Sequence, residues 1–108
     1  MKVVNIKDIE VTKAYYNPDI KKHIILSSGE LGDIVSFAQA VIPPGEVSRA
    51  HSHQNMGEVF LVLSGTGIII INDVKFELKK HLCAVVEPNE VHEIENNGDD
   101  DLVLYILK

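Results

Sequence analysis

A chain of 108 residues is long enough for one hydrophobic core and too short for two, so its length predicts a single domain over residues 1–108. Hydrophobic residues at 45% and charged residues at 24% are typical of an ordinary globular protein. The net charge of −6 argues against nucleic acid as a partner, because phosphate binding depends on clustered lysine and arginine, and the ten basic residues are scattered.

The sequence also carries information on disulfide bonds, membrane segments and cellular location. Cys83 is the one cysteine, so it cannot form an internal disulfide, and we expect it to be a small buried hydrophobic residue. No apolar run reaches the roughly 18 residues of a membrane span, and no membrane partner is expected. The N-terminal residues lack the apolar segment of an export signal, so a cytoplasmic location is the expectation.

The first part of the chain predicts short strands separated by turns. Loose alternation over residues 1–9 indicates a short N-terminal edge strand, and Asn17-Pro18-Asp19 is typical of a turn. Residues 21–26 form a predicted strand, and residues 34–42 form a longer one. His23 is flanked by lysines, which favours a solvated surface position over a role as a metal ligand.

The rest of the chain continues as short apolar or alternating segments without helical periodicity. Further strands are predicted over residues 59–63, 68–71, 74–78, 82–86 and 102–107. Asn72-Asp73 suits a two-residue hairpin turn because both residue types tolerate positive φ. Seven to nine short strands punctuated by glycine, proline and asparagine indicate an all-β antiparallel sandwich or barrel.

The stretch from Gly45 to Gly65 carries the clearest chemical signal. His51 and His53 are two positions apart, so on an extended segment their imidazoles leave the same face, and Glu58 opens the next apolar run. His92 lies in a second polar stretch, PNEVHEIEN. Imidazoles and a carboxylate on neighbouring strands can close around one ion, and we interpret these four residues as one metal site.

This stretch resembles the first signature of the cupin superfamily, which reads glycine, five residues, His-x-His, three or four residues, glutamate, six residues, glycine. Every fixed position is present, as Gly45, His51, His53, Glu58 and Gly65. The second signature matches at His92 and Asn96. It departs at three turn positions, where His81, Glu87 and Asn89 replace glycine, proline and glycine; asparagine tolerates the left-handed conformation better than other non-glycine residues.

The resemblance implies a small single-domain cupin of the conserved barrel type. Its fold would be a double-stranded β-helix, or jelly-roll barrel, over about residues 20–108, with the metal ligands on inward positions at its mouth. By alternation from Glu58, Phe60 and Val62 also point inward, which predicts a small, largely apolar pocket with the metal as its main polar feature. The polar residues that could contact a ligand are Arg49, Gln39, Ser64 and Asn96; for Asn96 we favour a turn role.

The donor set limits the metal without choosing it. Three imidazoles and one carboxylate leave a divalent ion with a net charge of about +1, which attracts an anionic oxygen, and they suit Zn, Fe, Ni, Mn, Co or Cu.

Two classes of function stay open. The resemblance implies a metal-dependent enzyme acting on a small oxygenated metabolite, with dioxygenase-like or isomerase-like chemistry. The alternative is a non-catalytic module that binds a metal together with a sugar or an acidic metabolite. The predicted inward positions offer few candidate bases, which favours redox chemistry or binding alone.

The apolar row Val59, Leu61 and Leu63 faces away from the ligands and needs a cover, which predicts a homodimer.

Overall fold

The computed structural model describes residues 1–108 and contains ten strands and one short 3-10 helix, Ile6–Asp8. The strands are β1 (Val11–Lys13), β2 (Lys21–Ser27), β3 (Ser36–Ile42), β4 (Val47–His51), β5 (Glu58–Ser64), β6 (Gly67–Ile71), β7 (Val74–Leu78), β8 (Cys83–Val86), β9 (His92–Glu95) and β10 (Leu102–Leu107). The single helix has neither the length nor the apolar character needed to cross a membrane.

The strands form two sheets in which every paired neighbour is antiparallel. One sheet has six strands in the order β1-β2-β3-β10-β5-β8, and the other has four in the order β4-β9-β6-β7. The last strand, β10, lies between β3 and β5, so the two halves of the chain are interleaved. This arrangement is the jelly-roll barrel, and it confirms the predicted all-β fold class.

The core lies between the two sheets and follows from alternation along each strand. In β5, Phe60 and Val62 are buried with Glu58, while Leu61 and Leu63 are exposed, as the alternation predicts. The same pattern in β10 buries every second residue from Leu102. Burial of each aliphatic or aromatic side chain contributes roughly 1.5–3 kcal/mol, so the inward rows hold the sheets together.

Two turns show why particular residue types are needed. Asn72 and Asp73 have φ values of 47° and 67° and join β6 to β7, with Ile71 paired to Val74, which confirms the predicted hairpin. Gly65 has φ of 84°, and a Cβ there would collide with the main chain of Asp101. Only glycine therefore fits where β5 ends.

The predicted N-terminal strand within residues 1–9 is wrong. Ile6–Asp8 form a 3-10 turn, and the first strand is β1. The side chain of Asn5 accepts a hydrogen bond from the Lys7 main-chain N–H at 3.0 Å, which stabilises a turn in place of an extended segment. The turn buries none of its residues, so its alternating apolar side chains have no sheet to pack against.

The outer face of the six-stranded sheet carries an exposed apolar patch on β5 and β8. Leu61 and Leu63 are each 42% exposed and Val85 is 64% exposed, and Val85 is paired with Val59 across the two strands. We call Val59, Leu61, Leu63 and Val85 the outer apolar patch. It is contiguous because the four side chains alternate outward from adjacent strands.

The expectation that Cys83 is buried is wrong. Cys83 is exposed, because β8 turns its other row, which ends in the buried Val86, toward the core. A short apolar run does not reveal which of its two rows faces the solvent.

Candidate metal centre

Four side chains, three from the two sheets and one from a connecting loop, converge in the barrel interior. His51 is the last residue of β4, His92 is the first residue of β9, and the two are cross-strand partners. Glu58 opens β5 in the opposite sheet, and His53 lies in the connection between β4 and β5. Their ligand atoms all lie within 4.8 Å of one another, so the four residues form a cluster able to bind a metal ion.

The cluster is arranged around one oxygen of the glutamate. The Nε2 atoms of His53, His92 and His51 lie 2.6, 3.4 and 4.0 Å from Oε1 of Glu58. Nevertheless Oε1 and the Nε2 atoms of His53 and His92 are buried without a well-directed hydrogen bond. An unpaired buried polar group costs about 1–3 kcal/mol. One cation between these atoms would satisfy all of them, so the residues present fit a metal ion.

Two of the imidazoles are oriented by main-chain carbonyls. Nδ1–H of His51 donates to the carbonyl oxygen of Arg49 at 2.7 Å, and Nδ1–H of His92 donates to that of Glu90 at 3.1 Å. Because a carbonyl only accepts, each bond fixes the tautomer that leaves a lone pair on Nε2. Both rings therefore present an acceptor atom to the centre of the cluster.

The loop that carries His53 is held by a residue in the left-handed conformation. The main-chain N–H of Asn89 donates to the carbonyl oxygen of His53 at 2.7 Å, and Asn89 has φ of 69°. His81 also has positive φ, at 77°. Asn89 and His81 thus keep the left-handed backbone at the two positions where the cupin signature has glycine.

The buried carboxylate is kept ionised by its neighbours. Burial alone would raise the pKa of Glu58, but the close approach of His92 and the positive charges of Lys108 and His53 outweigh burial and hold this pKa below its usual value. A cation ligand must be deprotonated, so the surroundings of Glu58 favour the form that binds a metal.

The cluster opens onto a cavity of about 80 Å³ that is also lined by two lysines. Lys22 enters it from β2, where its cross-strand partner is the buried Ala40. Lys108 directly follows β10 and continues the inward row of that strand. The lining is mostly hydrophobic, as expected, but it also includes these two lysines, which the sequence analysis did not anticipate.

Both lysines were missed by sequence reasoning, although a signal for one exists. Counting by two from Leu102 through Leu104 and Ile106 reaches Lys108, so period two assigns it to the inward face. Lys22 sits in a pair of lysines that pattern reasoning assigns to the solvent. Burial lowers the pKa of Lys22, and the charge of Lys108 lowers it further, while Glu58 acts in the opposite direction.

Arg49 does not face the cavity, contrary to its predicted position. The pairing of β4 with β9 shifts register between Ser48 and His51, which is where a bulge breaks the alternation. Ser48 therefore lines the cavity with His51, and Arg49 is exposed. Period-two counting from His51 cannot detect such an extra residue.

Three other polar candidates also lie away from the cavity. Gln39 projects from the outer face of β3, next to the hydroxyl of Tyr105, and Ser64 is exposed. Asn96 is buried, and its side-chain N–H groups donate to the carbonyl oxygens of Ile42 and Asp100, both at 2.8 Å. The turn role favoured for Asn96 is confirmed.

His23 is not part of the cluster. It is paired with Gln39 across β2 and β3 and lies on the same outer face of the sheet. The predicted solvated position is only partly met, because His23 is half-buried and its Nδ1 is buried without a hydrogen-bond partner.

The fold and the cluster together define a cupin barrel. The family model Cupin_2, described as a cupin domain, matches residues 38–108, and the chain belongs to this family. All four residues of the cluster lie inside the matched range.

Two relatives of known sequence have similar sequences over most of this chain. An uncharacterized protein of Methanocaldococcus jannaschii is 30% identical over 93 residues, which cover 86% of this chain and 67% of that protein. The oxalate-binding protein of Thermotoga maritima is 32% identical over 66 residues, which cover 61% of this chain and 54% of that protein. The chain thus spans only about half of the oxalate-binding protein's length.

Solved structures agree on the fold. The crystal structure of a predicted oxalate decarboxylase from Thermotoga maritima has a TM-score of 0.91 and 23% sequence identity, and the match covers 98% of this chain and 96% of that chain. At this level of identity the likeness establishes the fold alone.

We expect two histidines of the cluster to titrate on opposite sides of 6.5 when no metal is bound. Burial disfavours the charged form of both rings. At His92 the interaction with Glu58 and the bond to the Glu90 carbonyl outweigh burial and raise the pKa, whereas at His51 burial prevails and lowers it. Protons and metal should therefore compete most directly at His92.

The measurement is an NMR titration of the imidazole signals in chelator-treated protein, with each resonance assigned from a histidine variant. A His51 pKa equal to or above that of His92 would contradict the described electrostatics of the cluster.

Proposed function

We propose that this protein is a metal-dependent binding module. A divalent transition-metal ion would be bound by His51, His53, Glu58 and His92, and a small acidic metabolite would be held beside it. The observation that carries this proposal is the convergence of the four-residue cluster and two lysines on one small cavity.

The ligand set indicates a divalent transition metal but does not distinguish one such metal from another. Three imidazoles and a carboxylate suit Zn, Fe, Ni, Mn, Co or Cu. When bound, the ion would supply a Lewis acid for an oxygen atom of the metabolite. The chain itself fixes the tautomers of His51 and His92, keeps Glu58 ionised and supplies the apolar walls around the ligand.

The lysines favour an acid over a sugar as the ligand. Lys22 and Lys108 bring positive charge into a cavity whose lining is mostly hydrophobic, although the protein as a whole has a net charge of −6. Both lysines are half-buried, and a carboxylate of the metabolite would form charge-assisted hydrogen bonds with their ammonium groups. A sugar would instead bring several hydroxyl groups against walls that offer them few hydrogen-bond partners.

The size of the cavity limits the acid. At about 80 Å³ it has room for a ligand of about six non-hydrogen atoms. The Thermotoga maritima relative is named an oxalate-binding protein, and oxalate is a dicarboxylate of this size. Oxalate is therefore the first probe for the ligand class.

A catalytic function is the second candidate, and Lys22 is the observation that favours it. An amine whose pKa is lowered by burial is closer to the range of a general base at neutral pH. Isomerase-like chemistry on a small acid would use such a base, whereas dioxygenase-like chemistry would depend on a redox-active metal and would consume oxygen. Oxygen uptake and product analysis with the metal-loaded protein separate these reactions from binding alone.

Replacing any imidazole of the cluster should remove the metal without unfolding the barrel. We expect His51→Ala, His53→Ala and His92→Ala to lose most of the bound metal, because each change removes one ligand. Glu58→Gln keeps the shape but loses the charge that offsets the ion. Metal analysis of protein purified without chelators measures the effect, and His23→Ala on the outer face of β2 is the matched control. Full metal occupancy in all four cluster variants would show that the site lies elsewhere.

Removing either cavity lysine should weaken acid binding while leaving the metal in place. A hydrogen bond to a charged group contributes about 1.5–3 kcal/mol, so we expect Lys22→Met and Lys108→Met to weaken oxalate binding by about tenfold or more. Calorimetric titration of metal-loaded protein with oxalate gives the affinity, with glucose as the sugar probe. Lys21→Met changes the neighbouring, exposed position of β2 and is the control. Unchanged oxalate affinity in both cavity variants would reject the acidic-ligand proposal.

The outer apolar patch is the proposed site of homodimer formation. Leu61, Leu63 and Val85 are exposed on adjacent strands, and β8 is an edge strand of its sheet, so a second copy can cover the same patch in return. An apolar interface is insensitive to salt screening. The wild-type protein should therefore sediment as a dimer at low and at high salt.

We expect Leu61→Asp to produce monomers, because it places a charge in the centre of the patch. Lys75→Asp, at an exposed position on β7 in the other sheet, is the control and should remain dimeric. Sedimentation velocity decides between the two states: a wild-type species near 12.0 kDa in both salts would refute the dimer.

A further inference from the structure

We propose that Tyr16 is a positioning residue that holds the His51 ring in its metal-binding orientation. Tyr16 belongs to the segment of residues 14–20 between β1 and β2, which we call the tyrosine turn. The tyrosine turn lies outside the range of the family match, residues 38–108. The inference rests on the proposed metal binding and assigns part of the metal centre to a segment that is not in the cupin signatures.

Tyr16 covers one face of the His51 imidazole. The two ring centroids are 3.8 Å apart and the ring planes differ by only 10°, so the rings are stacked face to face. The His51 ring also contacts the rings of His92 and His53, with centroid distances of 4.4 and 5.1 Å and ring planes that differ by 60° and 74°. The plane of the His51 ring is thus set by the phenol ring, because the neighbouring imidazoles meet it edge-on.

The chemistry of this stack favours a positively polarised imidazole. Aromatic rings repel through their electron-rich faces and prefer offset or edge-on contacts when both are neutral. A cationic group over the face of a tyrosine is attracted by the ring. Binding of a cation at Nε2 withdraws electrons from the His51 ring, so the phenol stack should favour the metal-bound form.

Tyr16 and the Arg49 carbonyl restrain His51 in complementary ways. The bond from Nδ1–H to Arg49, at 2.7 Å, determines which edge of the ring faces the cluster, and the stack determines its plane. His51 needs such restraint because its Nε2 lies farther from Glu58 Oε1 than that of either other imidazole. It is also partly exposed, and Tyr16 removes water from one face of the ring.

The tyrosine turn is fixed to the same strand that carries His51. Asn17 is buried, and its side-chain N–H groups donate to Oε2 of Glu46 at 2.9 Å and to the carbonyl oxygen of Val47 at 2.8 Å. Its side-chain oxygen accepts a bond from the Asp19 main-chain N–H at 2.9 Å, which closes the turn. Val47 opens β4 and His51 ends it, so Asn17 fixes the distance between Tyr16 and the ligand it covers.

The test uses cobalt(II) as the probe, because its visible spectrum reports the ligand arrangement as well as the affinity. We expect Tyr16→Leu to weaken cobalt binding about tenfold, as is typical when a residue that supports a metal ligand is lost. Its visible spectrum should differ from that of the wild type. Tyr16→Phe keeps the aromatic stack on His51, so its cobalt affinity and visible spectrum should equal those of the wild type.

Two further variants separate positioning from general damage. Tyr15→Leu removes an exposed ring that meets Tyr16 edge-on and does not stack on a ligand, and it should behave as the wild type. Asn17→Ala should reproduce the Tyr16→Leu effect, and the double variant should lose no more than Tyr16→Leu alone, because both changes act through the same stack. Thermal unfolding of the chelator-treated proteins shows whether each variant is folded.

The outcomes distinguish this inference from the proposed function. A wild-type protein that binds no cobalt would overturn metal binding and the positioning role together. A wild-type protein that binds cobalt, with folded Tyr16→Leu and Asn17→Ala variants equal to it in affinity and spectrum, would overturn the positioning role alone.

Discussion

A buried carboxylate is the constraint on which the site depends. Glu58 is 3% exposed between two sheets whose inward rows are otherwise mostly apolar. A charge in such surroundings is costly unless cations or hydrogen-bond donors compensate it. The three imidazoles and Lys108 are placed around it for this reason, and a bound metal ion would take over most of the compensation.

The contacts that compensate the Glu58 charge also connect the two sheets. Glu58 belongs to the six-stranded sheet, whereas His51 and His92 face it from the four-stranded sheet as cross-strand partners. Any cation bound between them therefore contacts both layers of the barrel and stabilises only the folded arrangement. His51, Glu58 and His92 lie at strand ends, and main-chain bonds to Nδ1 orient the rings of His51 and His92.

The strands and one hairpin turn could be predicted from the sequence because period-two alternation and turn-forming residues recur along the chain. Alternation identified the inward row of β5, and the positive-φ residues Asn72 and Asp73 identified the hairpin. The same reasoning failed where a single local event decides the outcome. Because of the bulge before His51, Arg49 does not face the cavity. Lys22 faces the cavity because of the pairing of β2 with β3, and two consecutive lysines in the sequence do not predict that orientation.

The four residues of the cluster could be recognised from the sequence, whereas Tyr16 and Lys22 could not. The cluster of four potential ligands lies wholly within the family match, so it can be recognised from spacing alone. Tyr16 and Lys22 precede the matched range and reach the cavity only because β2 pairs beside β3 and Asn17 ties the turn to β4. A fold by itself does not determine which ligand is bound. The matched barrel therefore accounts for a cluster that can bind a metal, whereas part of the cavity lining, including Tyr16 and Lys22, comes from the segment that precedes it.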